Sequence, residues 1–151
     1  METFMKQEDE KDDMGAKVLI ATLYSIDPVL LASTRLGADR LILLMNKEKN
    51  KEQEDAFRMI NESLGRVLDV KRVEIPPYDI AGIAAKAVEI IDMQPSADTL
   101  YVNITSGRKT MAIGLLMAAY ARCSRVKKIA YNPEEDRSAV VYLPKLCFSL
   151  T

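Results

Sequence analysis

Apolar positions along the chain fall into short continuous runs separated by longer segments of helical period. KVLIATL, from Lys17 to Leu23, is apolar without alternation, the pattern of a strand buried on both faces. Asp27-Pro28 then supplies a helix N-cap with proline at the first helical position, and Gly37 stops that helix. A second buried strand, RLILLM from Arg40, is followed by a charged stretch, Lys47 to Asp55, that leads into a helix with Ala56, Met59, Ile60, Leu64 and Val67 on one face. The third strand runs Val70 to Ile75 and ends at Pro76-Pro77, and the next helix carries Ile80, Ile83, Ala84, Ala87 and Ile91 on one stripe. The fourth strand, TLYVNI from Thr99, passes through Thr105-Ser106-Gly107 into a helix that is apolar nearly all round from Met111 to Ala121. Such a helix must be buried, Met111 and Met117 with it, and a subunit interface is one way to bury it. The last runs, VKKIAY and SAVVYL, are separated by NPEEDR and read as a hairpin.

Four rounds of strand and helix specify an α/β fold: a Rossmann-like, mostly parallel sheet with helices on both faces and a C-terminal β-hairpin. Residues 1–16 lack hydrophobic periodicity and read as an acidic flexible tail, leaving 17–151 as one domain, a size at which one core is worth building and two are marginal.

Charge sharpens this division. The net charge is −1, but Met1 to Ala16 hold six acids and two bases, so the remainder has nineteen bases against sixteen acids. A mildly basic body suits a small anion bound at one focus better than a long nucleic acid, which usually needs a stripe of Lys and Arg. No apolar run approaches the ~20 residues of a membrane span and the N-terminus is acidic, so a cytoplasmic protein without membrane attachment is expected. The chain has no histidine. That removes Ser-His-Asp triads, Cys-His pairs, His-based zinc sites and two-histidine acid-base chemistry. Cys123, placed in the last helix, and Cys147 lack metal-type spacing and read as buried small hydrophobes; no metal and no cofactor are called for.

In open α/β sheets ligands bind beyond the carboxyl ends of the strands, where the strand order reverses. Four loops reach that face: Thr22 to Asp27, Asn46-Lys47, Asn103 to Lys109, and the Asn132 region. The third is the richest, because NITSGRKT brings two hydroxyls, a glycine and two cations to a strand-to-helix turn where backbone N–H groups converge, as a phosphate requires. It is not a Walker loop, since Val102 stands where that motif needs its first glycine. A structural account stays open beside this one, with Thr105 and Ser106 capping the helix and Arg108-Lys109 solvated. In the first loop Thr22, Tyr24 and Ser25 flank the same crevice, with Tyr24 able to stack on a base and Ser25 to bond a phosphate or a 2′-hydroxyl; Asp27 is assigned to the cap.

Asn103-Ile104-Thr105-Ser106-Gly107-Arg108-Lys109-Thr110-Met111 resembles the second motif of CARF domains, the CRISPR-associated Rossmann fold, usually close to N-L-T-G-G-T-K-x-M. Ser106 replaces the first glycine and Arg108 the usual small residue. The likeness extends from Lys17 to about Leu143 through the first-strand loop, the element order and the closing hairpin. It implies a homodimer that senses a cyclic oligoadenylate, tetra- or hexa-adenylate, in type III CRISPR defence. Family members often continue into a winged-helix or nuclease domain, whereas this chain ends at Thr151, so cleavage of the ring is expected slightly ahead of sensing alone. In that reading the ligand's own 2′-hydroxyl attacks the adjacent phosphate without metal. Lys109 and Arg108 stabilise the charge, Ser25 orients the phosphate, and Thr22, Tyr24, Asn103, Thr105, Ser106 and Gly107 bind the ring. A non-catalytic sensor and a purely structural dimer are the alternatives.

Overall fold

A computed structural model describes residues 15–47, 50–136 and 138–144. Ten elements alternate: β1 (Lys17–Thr22), α1 (Ile26–Leu36), β2 (Arg40–Asn46), α2 (Lys51–Leu64), β3 (Asp69–Ile75), α3 (Ile80–Met93), β4 (Thr99–Asn103), α4 (Lys109–Ala121), β5 (Val126–Tyr131) and β6 (Val141–Tyr142). The strands form one sheet in the order β3-β2-β1-β4-β5-β6. All neighbours are parallel except β6, which pairs antiparallel to β5 through Ala130↔Tyr142 and Tyr131↔Val141. The Rossmann-like fold and the closing antiparallel pair expected from the sequence are therefore present, with β6 shortened to two residues.

Because side chains alternate across a strand, the continuous apolar runs feed two cores. Leu19, Ala21, Leu41, Leu43 and Met45 face α1 and α2, where Val29, Ala56 and Ile60 meet them. Val18, Ile20, Ile42, Leu44, Leu100 and Val102 face α3 and α4 on the other side. β3, at the sheet edge, has the alternating and partly charged pattern of a strand half open to water, which also protects the edge from unwanted pairing.

Several side chains depart from the helical-period reading. In α2 Ala56 and Ile60 are buried, but Met59 is exposed, and Val67 lies beyond the helix and is exposed as well. Gln53 joins the buried face instead, because its side-chain amide reaches the Leu23 carbonyl at 2.9 Å. α1 starts one turn-fraction early: Ser25 is its N-cap and Asp27 lies in the first turn, so Asp27 is not the cap. α4 is not wholly buried either. Met111 is inaccessible, whereas Met117 is 53% and Ile113 44% exposed. Cys123 sits half-buried in the turn after α4 and is disulfide-bonded, so it is neither helical nor a free buried thiol. Cys147 and residues 1–14 of the acidic segment lie outside the described residues; Ala16 is already tied in, its N–H donating to Asp98 Oδ1 at 3.0 Å.

Helices α3 and α4 approach closely at Gly114, where an added Cβ would stand 2.7 Å from Ile83 Cβ and 2.5 Å from its Cγ2. Alanine has about 1 kcal/mol better helix propensity than glycine, but the branched, buried Ile83 cannot swing clear. Gly114→Ala is expected to destabilise the protein by ~1–3 kcal/mol, read as a lower urea midpoint at unchanged slope.

Candidate functional site

The strand order reverses between β1 and β4, which pair in register up to Ala21↔Asn103. α1 leaves β1 on one face and α4 leaves β4 on the other, so the loops 23–25 and 104–108 diverge from a common base and leave a crevice between them. Ser106, 5% exposed, closes the bottom of that crevice. Its Oγ accepts from the backbone N–H of Tyr24 at 2.7 Å and of Ser25 at 2.9 Å, and donates to the Ser25 carbonyl at 3.2 Å. The Thr22 hydroxyl donates to the Ser106 carbonyl. Gly107 follows with φ of +96°, and a Cβ there would lie 3.0 Å from Thr22 Cβ, so both its backbone conformation and the closeness of the two loops call for glycine.

A second set of bonds ties β4 to the end of β5. Asn103 Nδ2 donates to Asn132 Oδ1 at 2.7 Å, and Asn103 Oδ1 accepts from the Thr105 N–H at 3.0 Å. Thr105 Oγ1 donates to Asn132 Oδ1 at 3.2 Å and accepts from the Asn132 N–H at 2.8 Å. Asn103 and Asn132 are both buried. On the opposite flank the loop between β3 and α3 reaches the start of α4. Thr110 Oγ1 donates to the Pro77 carbonyl at 2.5 Å, and Arg108 donates from Nη1 to the Tyr78 hydroxyl at 2.9 Å while its guanidinium lies over the Tyr78 ring at 5.3 Å. Arg108 Nε is buried without a partner among the described residues.

The nine residues singled out from the sequence thus lie at the ends of β1 and β4 and in the segments that follow them, in three states of burial. Thr22, Asn103 and Ser106 are buried and spend their polar side-chain atoms on neighbouring loops. Ser25 and Lys109 are exposed, and Tyr24, Thr105, Gly107 and Arg108 are half-buried. Lys109 is the first residue of the 13-residue α4, whose first turn carries no acid, so the positive end of the helix and an exposed ammonium coincide. Three participants escaped the sequence reading: Gln53, Tyr78 and the side chain of Asn132. Only Asn132 had a signal, its place at the carboxyl end of a strand. A groove of about 910 Å³ continues from the crevice between α1 and the segment after β5, with Ser25, Thr105 and Asn132 at their junction.

The family described as "HFX_2341_N:-like, N-terminal" matches residues 17–136. No curated protein matches the chain by sequence. Among solved structures the chain is similar to Can2 from Sulfobacillus thermosulfidooxidans in complex with cyclic tetra-adenylate, at 18% identity and TM-score 0.68, over 84% of this chain and 34% of that one. It is also similar to a type III CRISPR defence DNA nuclease activated by cyclic oligoadenylate, at 18% identity and TM-score 0.61, over 78% and 19%. Csm6 of Enterococcus italicus, bound to cyclic hexa-2′-fluoro-hexa-dAMP, matches at 16% identity and TM-score 0.59, over 79% and 34%. The chain therefore spans about a third or less of these proteins, and what it shares with them is the fold.

Removing the Ser106 hydroxyl leaves two backbone N–H groups of the first loop without their acceptor, a loss of ~1–3 kcal/mol for buried donors. Ser106→Ala is expected to speed amide exchange at Tyr24 and Ser25 at least tenfold while exchange in β2 stays as it was; equal protection in both proteins would show that the loops do not depend on this bond.

Proposed function

The chain belongs to the family described as "HFX_2341_N:-like, N-terminal" and has a CARF-like fold, and from that premise we propose that it binds a cyclic oligoadenylate in the crevice between β1 and β4. The observation that carries this reading is the convergence at the start of α4: the left-handed backbone of Gly107, a helix N-terminus with no acid in its first turn, and the exposed Lys109, three residues after the Ser106 that holds the loop of the exposed Ser25. Such an arrangement favours a phosphate over a neutral group. The solved relatives named above, bound to or activated by cyclic oligoadenylates, support a ring rather than a mononucleotide as ligand.

A ring with two-fold symmetry calls for a two-fold protein, and α4 offers the surface. Ile113 and Met117 lie one turn apart on its outer side, exposed and apolar, on the same helix whose first residue is Lys109. Pairing two copies there buries them and brings two crevices together across the axis. Met117→Glu is expected to shift the protein to monomer in sedimentation and to weaken ring binding with it.

Cleavage is the further step in this reading. The ring's 2′-hydroxyl attacks the adjacent phosphorus, the 5′-oxygen leaves, and a linear product ending in a 2′,3′-cyclic phosphate results. In this reading Lys109 stabilises the charge gathering on the phosphoryl oxygens and Ser25 orients them. Arg108 can assist only by leaving Tyr78, which holds it through both hydroxyl and ring. A sensor needs the same binding groups without in-line geometry.

One experiment tests both steps: the protein is incubated with cyclic tetra- or hexa-adenylate in EDTA, and the ligand is followed by chromatography beside Lys109→Ala. Binding that weakens ~10–100-fold in the variant, the range of a charged hydrogen bond, supports the site. Linear product from the parent alone makes the protein a metal-independent ring nuclease, binding without product makes it a sensor, and no binding of either ring overturns the proposal.

A further inference from the structure

The groove along α1 has a chemistry different from the crevice it joins. Much of its wall from α1 is apolar, with Ile26, Pro28, Leu30 and Leu31, and charge stands at its sides as Asp27, Arg35 and Glu134. With two carboxylates against the single cation Arg35 the groove has no excess of positive charge for a phosphate, while a largely apolar wall and a volume of about 910 Å³, within the ~300–1,000 Å³ of small-molecule sites, suit a flat uncharged group. At the junction with the crevice stands Asn132, only 7% exposed. Its Oδ1 is engaged by two donors, Asn103 Nδ2 at 2.7 Å and the Thr105 hydroxyl at 3.2 Å, which fixes which end of the amide is oxygen. Nδ2, the other end, has no partner among the described residues. A side chain more than nine-tenths buried, with its acceptor held and its donor unspent at the wall of a groove, is a preset hydrogen-bond donor waiting for an acceptor from outside the fold.

We propose that this groove is the base subsite of the same site, and that Asn132 Nδ2 donates to a ring nitrogen of a purine seated in it. A purine ring presents unprotonated nitrogens as acceptors, and adenine adds an exocyclic amine that complements Glu134, so the groove is matched to adenine on both counts. The phosphates then stay at Gly107 and Lys109, and the base turns away from them toward α1. Thr105 belongs to both halves, since it sits in the phosphate loop and locks the Asn132 amide. This assignment rests on the reading that the crevice binds a cyclic oligoadenylate.

The discriminating variant is Asn132→Asp, which keeps an acceptor for Asn103 and Thr105, keeps the backbone N–H bonded to Thr105, and removes the donor while adding a charge that the abasic ring controls for. Kd is measured for cyclic tetra-adenylate and for an abasic ring of the same size. The expected result is at least a tenfold loss for cyclic tetra-adenylate and no comparable loss for the abasic ring. An equal loss for both rings would mean that the added carboxylate acts on the phosphates, and no loss for either would leave Asn132 a purely structural residue; each overturns the proposal. If the variant fails to fold, the parent protein answers the question with rings of 1-, 3- or 7-deaza-adenine. One of the three must lose about tenfold, and unchanged binding of all three overturns the assignment. Failure of the parent to bind cyclic tetra-adenylate at all is a separate outcome, which removes the functional reading beneath this one.

Discussion

The parallel pairing of β1 with β4 is the constraint on which the rest of this molecule depends. It is the one junction in the sheet where neighbours in space are far apart in sequence, and it forces the chain to leave β1 toward one face and β4 toward the other. A crevice at that point is a consequence of topology before any side chain is considered. Its dimensions are then set by how tightly the two departing loops are held at their base. Here they are held by Ser106 and Thr22, with Gly107 allowing the backbone to pass close above Thr22.

Polar residues in the core are confined largely to the two ends of the sheet. The middle of each central strand is purely apolar, whereas Thr22, Asn46, Gln53, Asn103, Ser106 and Asn132 are buried at the carboxyl end. Each such group costs a few kcal/mol unless its hydrogen bonds are made. Most of them are made, and made between loops rather than within them, so the energy that satisfies a buried amide also fixes one loop against the next. Asn46 Oδ1 is an exception, buried without a partner among the described residues. Of the exposed residues of the same region, Ser25 is tied to Ser106 through its backbone, so in the proposed site its hydroxyl and the Lys109 ammonium would meet an anion on a base already held in place.

The fold was legible in the sequence because buried parallel strands are written as short, continuous apolar runs, and KVLIATL, RLILLM and TLYVNI all became central strands. The loop 103–109 was also legible, as a turn from strand to helix, since TLYVN ends β4 and α4 begins at Lys109. What stayed hidden depends on tertiary partners. Met117 and Met111 look alike in one dimension, yet one is exposed and the other inaccessible, because an all-apolar helix gives no periodicity by which to choose its buried face. Gln53 sits inside a charged stretch, and only the open carbonyl of Leu23 draws it inward. Ser106 and Asn103 were singled out as ligand-binding residues, not for the loop-to-loop bonds that the folded chain shows them making.

Helix α4 explains its own composition through three demands. Its inner face must let α3 approach closely, which Gly114 and Ala118 permit and a larger side chain at Gly114 would prevent. Its first turn must stay free of acids if it is to hold an anion, and it does, with Arg108 and Lys109 there instead. Its outer face carries Ile113 and Met117 where a lone surface helix would carry charge. An apolar outer face on an isolated domain is a cost in solubility, and it becomes a gain only if a second copy covers it. A single rigid helix would then connect the anion site at its start to the subunit contact along its length. Ligand and partner would act on the same element, and any rotation of one copy against the other would move Lys109 with respect to the ring it holds.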